Sequence, residues 1–414
     1  MADGMSSADQ VAAPGPCAEQ SSASLLTLNA EVYRICMTDG GYPAEWPQHP
    51  NCPCCGIGQL KNLFTKHQFS HRQCTNCGFV CVDPYPPEDI LKKLYAGSYY
   101  TNFREFYEAR HLREVGGYSM TAAPLELLEK MIETATRGRA AGEWLDVGGG
   151  LGTVADLVRR RHPRWAVTLN EFNPRSLQLA REIYGLDAID SDAHQLRNME
   201  RRFDVISAVA VLEHIPDPFS FLHSYAELLK PDGILVLIVP QFTRLNAAVS
   251  KAASANAAPP FHVSLFEEHC LRTILERIGA FKYIEVSQYG PPAFSLLHHY
   301  DTSEYWDIAI PSLQEPVPKG LQIKEYPTEI AAGLNALAEA EAVVKDHFAK
   351  VDGRLFLMAI GSKAAKGADR DNSRSKWLVV REALRTISSV GKRPRHRQAP
   401  TCMPAPATPK REET

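Results

Sequence analysis

The chain has 414 residues, of which 44 % are apolar and 22 % charged, with a formal net charge of −3. This profile suits a globular protein with one large domain plus appendages, or two domains. It gives no electrostatic reason to expect a specific nucleic-acid partner, and no apolar run approaches the ~18–20 residues needed to span a bilayer.

In chain order, residues 1–49 read as a largely disordered leader, rich at first in Ala, Ser, Gly and Pro. Its start, Met1–Ser6, has neither the basic nor the apolar region of a signal peptide. Residues 50–84 carry Cys52, Cys55, Cys74 and Cys77 as two C-x-x-C-G knuckles, with 18 residues between Cys55 and Cys74. That spacing predicts a zinc ribbon, in which four thiolates satisfy tetrahedral Zn2+. Cys54 and Cys81 are left over, as a bystander and a buried thiol. Few bases (Lys61, Lys66, Arg72) lie between the knuckles, so a structural role or a wall of an acceptor site is expected rather than nucleic-acid reading. Cysteines used this way suit a reduced compartment, and the expected location is cytoplasmic.

Residues 85–138 form a helical lead-in: Ile90, Leu91, Leu94 and Tyr95 share one face, and Leu125, Leu127, Leu128, Met131 and Ile132 another. Across 139–290 the pattern alternates. Strands are expected at 143–147, 165–170, 186–190, 203–209, 233–239 and 281–288, and helices near 151–161, 174–184, 218–229 and 265–278. Leu229-Lys230-Pro231-Asp232-Gly233 reads as a turn. The alternation predicts an α/β, Rossmann-like doubly wound sheet covered on both faces. Residues 291–350 are an insertion and possible substrate lid, carrying His298 and His299; 351–362 hold a final core strand. The end, 363–414, is a basic disordered tail with 13 Lys/Arg against 5 Asp/Glu.

The chemistry concentrates after the first core strand. Glu143-Trp144-Leu145-Asp146-Val147 runs into glycines at Gly148, Gly150 and Gly152, where a backbone without Cβ atoms can turn sharply and lie against a ligand. The helix start behind them offers unpaired N–H groups to an anionic group. A dinucleotide fingerprint starting at Gly148 needs glycine at 153, which is Thr153, and this argues against an NAD-linked oxidoreductase. Glu171 ends the second strand, where a carboxylate can accept both hydroxyls of a ribose. Asp192-Ala193 follows the third strand and can accept from an adenine amino group. Val211-Leu212-Glu213-His214-Ile215-Pro216-Asp217-Pro218 follows the fourth, at the same sheet edge. Asp146 either hydrogen-bonds the glycine loop or touches the ligand.

Together, Asp146–Gly152, Glu171, Asp192-Ala193, the Val211–Pro218 run and Leu229–Gly233 resemble a class I S-adenosylmethionine (SAM)-dependent methyltransferase. His262-Val263-Ser264-Leu265-Phe266 is similar to the H-x-x-x-F run of small-molecule members. A ribbon followed by Tyr95-Ala96-Gly97-Ser98-Tyr99-Tyr100 resembles bacterial deoxysugar C-methyltransferases. The resemblance implies SAM as cofactor, held by Asp146, Gly148, Gly150, Gly152, Glu171, Asp192 and Ala193. It places His214 and His262 on the cofactor edge as candidates for the base that an acceptor hydroxyl or acidic carbon needs. The expected function is O- or C-methylation of a small-molecule or saccharide-type acceptor. The alternatives are a quinone-like or secondary-metabolite acceptor, or a non-catalytic SAM-binding protein.

Overall fold

A computed structural model describes residues 32, 34–37, 42–97, 100, 125–191, 193–198, 200–254, 256–292 and 353–364. Residues 293–350 of the expected lid, with His298 and His299, residues 365–414 of the expected tail, and Asp192 lie outside the described residues.

The ribbon opens with β1 (Leu60–Lys66), β2 (Phe69–Cys74) and β3 (Val80–Val82), paired antiparallel in that order. Helices α1 (Glu88–Ala96) and α2 (Leu125–Thr136) follow. The core then alternates: β4 (Gly142–Val147), α3 (Thr153–Arg161), β5 (Trp165–Asn170), α4 (Pro174–Tyr184), β6 (Asp187–Ile189), α5 (Ala193–Asn198), β7 (Phe203–Val209), α6 (Pro218–Ala226) and β8 (Leu229–Pro240). It closes with β9 (Ser264–Leu265), α7 (Glu268–Ile278), β10 (Tyr283–Pro292) and β11 (Arg354–Ser362).

Seven strands form the central sheet in the order β10-β11-β8-β7-β4-β5-β6. The pairs among β4 to β8 are parallel, and β11 runs antiparallel to both its neighbours. The strand order reverses beside β4, so the loops after β4 and β7 open at one sheet edge, where such folds bind ligands. Apolar residues of α5, α6 and α7 share one cluster, including Leu196, Leu222 and Leu271; Ala155, Leu177 and Ala180 from α3 and α4 pack with Leu169 in another.

Three expectations change. Leu229–Gly233 is not a separate turn: β8 begins at Leu229, and the extra residues form an irregularity between the Phe203↔Leu229 and Val205↔Ile234 pairs. Pro and Gly fit such a break in strand pairing as well as they fit a free turn. The helix expected from residue 265 starts at Glu268, because Ser264 and Leu265 pair with Cys81 and Val80 of the ribbon. Part of the expected leader is packed: Val32, Cys36 and Trp46 are buried against Phe69, Val82 and Leu94. Trp46 and Tyr42 lie stacked there, an aromatic burial that composition alone did not register.

The ribbon is not a detached module. Cys52, Cys54, Cys74, Cys77 and Phe79 belong to the same buried cluster as Leu145 and Phe203 of the central sheet. Helix α7 clamps the knuckles. Cys270 Sγ donates to the Cys77 carbonyl at 3.2 Å, and Arg277 donates to the carbonyls of Pro53 and Cys54 at 3.0 and 3.1 Å. The same guanidinium lies 3.6 Å over the Phe219 ring.

Candidate active site

The glycine turn has the backbone its sequence requires. Gly148, Gly150 and Gly152 take φ of 61°, 56° and 85°, in the left-handed region that side chains rarely adopt. Gly152 caps α3, and a Cβ there would stand 2.3 Å from Leu186 Cδ1. Gly149, between the expected glycines, matters for a different reason. A Cβ on it would lie 2.4 Å from both Asp146 Oδ2 and Leu169 Cδ1.

Asp146 is buried at the end of β4. Trp144 Nε1 donates to Ser207 Oγ, which donates to Asp146 Oδ1, each at 2.8 Å. Burial pushes its carboxyl up to about 7, against the opposing pull of Ser207 and the Ala155 amide. Glu171 is also buried and holds the loop from the other side. Its Oε2 accepts from the Gly150 amide at 2.9 Å, while Oε1 accepts from Phe172 and Asn173, both at 2.9 Å. A carboxylate so engaged shapes the glycine turn directly. Ala193 opens α5 behind β6.

The sheet edge encloses a cavity of about 460 Å³. Its lining includes Asp146, Gly148, Gly149 and the first residues of α3, Thr153 and Val154. It also includes Glu213, His214 and His262, and the apolar side chains of Ile238, Val239, Phe261, Leu355 and Phe356. Glu171, Gly150 and Gly152 are not among the lining residues; Glu171 adjoins them through the Gly150 amide. Ala210, at the end of β7, also lines the cavity and takes φ of 53°, a conformation uncommon for a non-glycine residue.

The Glu213–His214 stretch forms one short 3₁₀ turn, and Asp217 then caps α6 by accepting from the Ser220 amide at 3.0 Å. His214 Nδ1 donates to the Phe261 carbonyl, and His262 Nδ1 to the Asn256 carbonyl, both at 2.9 Å. A carbonyl only accepts, so each Nδ1 carries the proton and a neutral ring keeps Nε2 as an acceptor. The two rings pack edge to face at 5.0 Å. Burial holds His262 below the ordinary histidine value and lifts Glu213 to about 8. The two candidate bases therefore converge on one cavity wall. Sequence reasoning missed Glu213, Phe261 and Asn256; only the Glu-His pair itself carried a signal.

The four ribbon thiols also converge. Cys52 and Cys77 Sγ are 3.6 Å apart, and Cys55 and Cys74 Sγ 3.7 Å. Thiolates on tetrahedral zinc at 2.3 Å are spaced about 3.8 Å apart, so this donor set fits the ion. The amides of Asn76 and Cys77 approach Cys74 Sγ at 3.3 and 3.4 Å. Cys54 stays out of the set, its thiol donating to the Cys270 carbonyl at 3.3 Å.

Residues 119–285 match the family model of a methyltransferase domain. Among curated relatives, the ubiquinone biosynthesis O-methyltransferase of Actinobacillus pleuropneumoniae serotype 5b (strain L20) is 31 % identical over 126 residues, 27 % of this chain and 53 % of that protein. The malonyl-[acyl-carrier protein] O-methyltransferase of Haemophilus ducreyi (strain 35000HP / ATCC 700724) is 29 % identical over 143 residues, 33 % of this chain and 54 % of that one. The chain thus spans about half the length of these curated relatives. A phosphoethanolamine N-methyltransferase 2 from Haemonchus contortus, solved with SAM, is 14 % identical with a TM-score of 0.42, covering 66 % of this chain and 59 % of that chain. Residues 119–285 thus resemble a methyltransferase domain, and the sheet they contribute to is Rossmann-like and mixed.

Proposed function

We propose that the protein transfers the methyl group of SAM to an oxygen of a small-molecule acceptor. The observation that carries this reading is one cavity lined both by the glycine turn and by two oriented imidazoles. SAM is held by Asp146, the turn Gly148–Gly152, Glu171 and the Asp192-Ala193 segment. The sulfonium is already activated, so catalysis consists largely of holding the acceptor in line and dry. His214 and His262 face the acceptor, where a hydroxyl must lose its proton.

The apolar sides, Ile238, Val239, Phe261, Leu355 and Phe356, suit a flat apolar acceptor such as a phenol or quinone precursor. The named activity of the ubiquinone-pathway relatives supports the same class. A saccharide-type acceptor is the second reading, on the resemblance of the ribbon and the run Tyr95–Tyr100 to deoxysugar C-methyltransferases. We assign structural Zn2+ to Cys52, Cys55, Cys74 and Cys77, on the spacing of their sulfurs. Four such thiolates suit a reduced, cytoplasmic setting.

Calorimetric titration of the zinc-replete chain with SAM, S-adenosylhomocysteine (SAH) and NAD tests the cofactor. Micromolar binding of both adenosyl ligands and none of NAD is expected; no SAM binding overturns the reading. A subsequent acceptor screen read by SAH release separates an enzyme from a SAM-binding protein without turnover.

A further inference from the structure

Glu213 poses a problem that methyl transfer alone does not solve. Its carboxyl is 2 % exposed, and Oε2 is buried with no hydrogen-bond partner. Burying an unsatisfied carboxyl is costly, and the residue sits in the cavity wall rather than in a packed core. The obvious donors are the neighbouring imidazoles. His214 Nε2 lies 4.0 Å from Glu213 Oε1. Yet both rings commit their Nδ1 protons to backbone carbonyls, so a neutral ring has no Nε2 proton to offer the carboxyl. With Glu213 ionised, three electron-pair donors face one another across a small gap.

The gap has the dimensions of a cation site. The ligating atoms of Glu213, His214 and His262 all lie within 4.8 Å of one another. For any triangle of that size a point exists no more than about 2.8 Å from every corner. Coordination at about 2.0–2.2 Å therefore needs each donor to move inward by under ~1 Å, within reach of small side-chain rotations. The frame around them is stitched. The Val263 amide donates to the Glu213 carbonyl at 2.8 Å, and the amides of His214 and His262 bond to Val211 and Ala258, both at 2.9 Å. Nδ1–H donation to a backbone carbonyl is also the arrangement that fixes tautomer and orientation in metal-ligating histidines.

We infer that Glu213, His214 and His262 form a site for one divalent first-row transition metal ion in the wall of the acceptor cavity. Two imidazoles and a carboxylate suit Mn2+, Fe2+, Co2+ or Zn2+, and three protein ligands leave positions open toward the cavity. This site is separate from the ribbon, whose all-thiolate set takes a softer ion. Cation binding stands independently of the methyl-transfer reading; its use there rests on that reading. In that use an acceptor oxygen takes an open position, and the cation, rather than an imidazole, lowers the pKa of the hydroxyl.

The test uses the full zinc-replete chain and Mn2+, which thiolates bind poorly. Free Mn2+ is counted by electron paramagnetic resonance during titration. The expected result is one Mn2+ per chain with a micromolar Kd, weakened at least tenfold in Glu213→Gln and separately in His262→Gln, with ribbon zinc retained. SAH titration on the same samples checks folding and keeps the two readings apart. SAH binding without Mn2+ binding overturns the cation site and leaves methyl transfer standing. Mn2+ binding that survives both substitutions also overturns it. Mn2+ binding lost in both variants, in protein that binds no SAH, upholds the cation site and sinks the methyltransferase reading.

Discussion

Glu171 Oε2 accepts the Gly150 amide at 2.9 Å, tying the end of β5 to the glycine turn that follows β4. Two neighbouring strands thereby set one loop. Removing this carboxylate removes three amide hydrogen bonds at once. Bonds to a charged group contribute roughly 1.5–3 kcal/mol each. Glu171→Ala is therefore expected to weaken SAH binding at least tenfold and to lower the melting temperature. Glu171→Gln, which keeps the acceptor oxygen Oε1, should fall between. Calorimetry and thermal melts on the three proteins check the order.

Gly152 and Gly185 both hold left-handed φ, at 85° and 62°, but in different surroundings. A Cβ at Gly185 meets nothing within 4 Å, whereas one at Gly152 strikes Leu186 at 2.3 Å. Gly185→Ala should cost only the conformational penalty, about 1 kcal/mol. Gly152→Ala adds a steric clash and should cost about 2–4 kcal/mol, read from urea unfolding midpoints. Equal costs would show that the Leu186 contact yields freely.

Asp146 carries a pH signature. Its pKa stands at 3.8 when unperturbed and about 7 in the fold. A carboxyl raised on folding contributes stability that is complete below the unfolded value and is lost as pH rises through the folded one. The wild type should therefore lose stability against Asp146→Asn between about pH 4 and pH 7, and no further above pH 8. The loss amounts to a few kcal/mol, on the order of 1.4 kcal/mol per pH unit. Parallel melts of both proteins from pH 5 to pH 9 give the difference; a flat difference refutes the shift.

On the zinc assignment proposed above, the ribbon cysteines divide into ligands and a bystander. Cys55→Ser should drop zinc content well below one per chain and destabilise the core with it, because the knuckles share the cluster of Leu145 and Phe203. Cys54→Ala should keep its zinc and lose only packing, about 1–2 kcal/mol. Metal analysis beside thermal unfolding separates the two.

The strands around the glycine turn were readable because each is a short, largely apolar run, and the positive φ at Gly148, Gly150 and Gly152 follows from those residues being glycine. What escaped was set by distant partners. Ser264 and Leu265 extend because a ribbon edge takes them up, a contact with residues nearly 200 positions earlier. Gly149 is constrained by Asp146 and Leu169 side chains, not by its own φ. The tautomers of His214 and His262 are fixed by carbonyls 47 and 6 residues away. Local pattern carries elements and turns; it does not carry which carbonyl meets which ring.

The β10–β11 ladder joins distant parts of the chain beside the cavity. Pro292 pairs with Arg354, so two positions far apart in sequence meet at one end of the ladder. Leu355 and Phe356, just inside that end, line the cavity. Closing a long connection costs only about 0.6 kcal/mol more for each doubling of its length. On that scaling, a change in the number of residues between Pro292 and Arg354 adds little to the cost of closing this ladder.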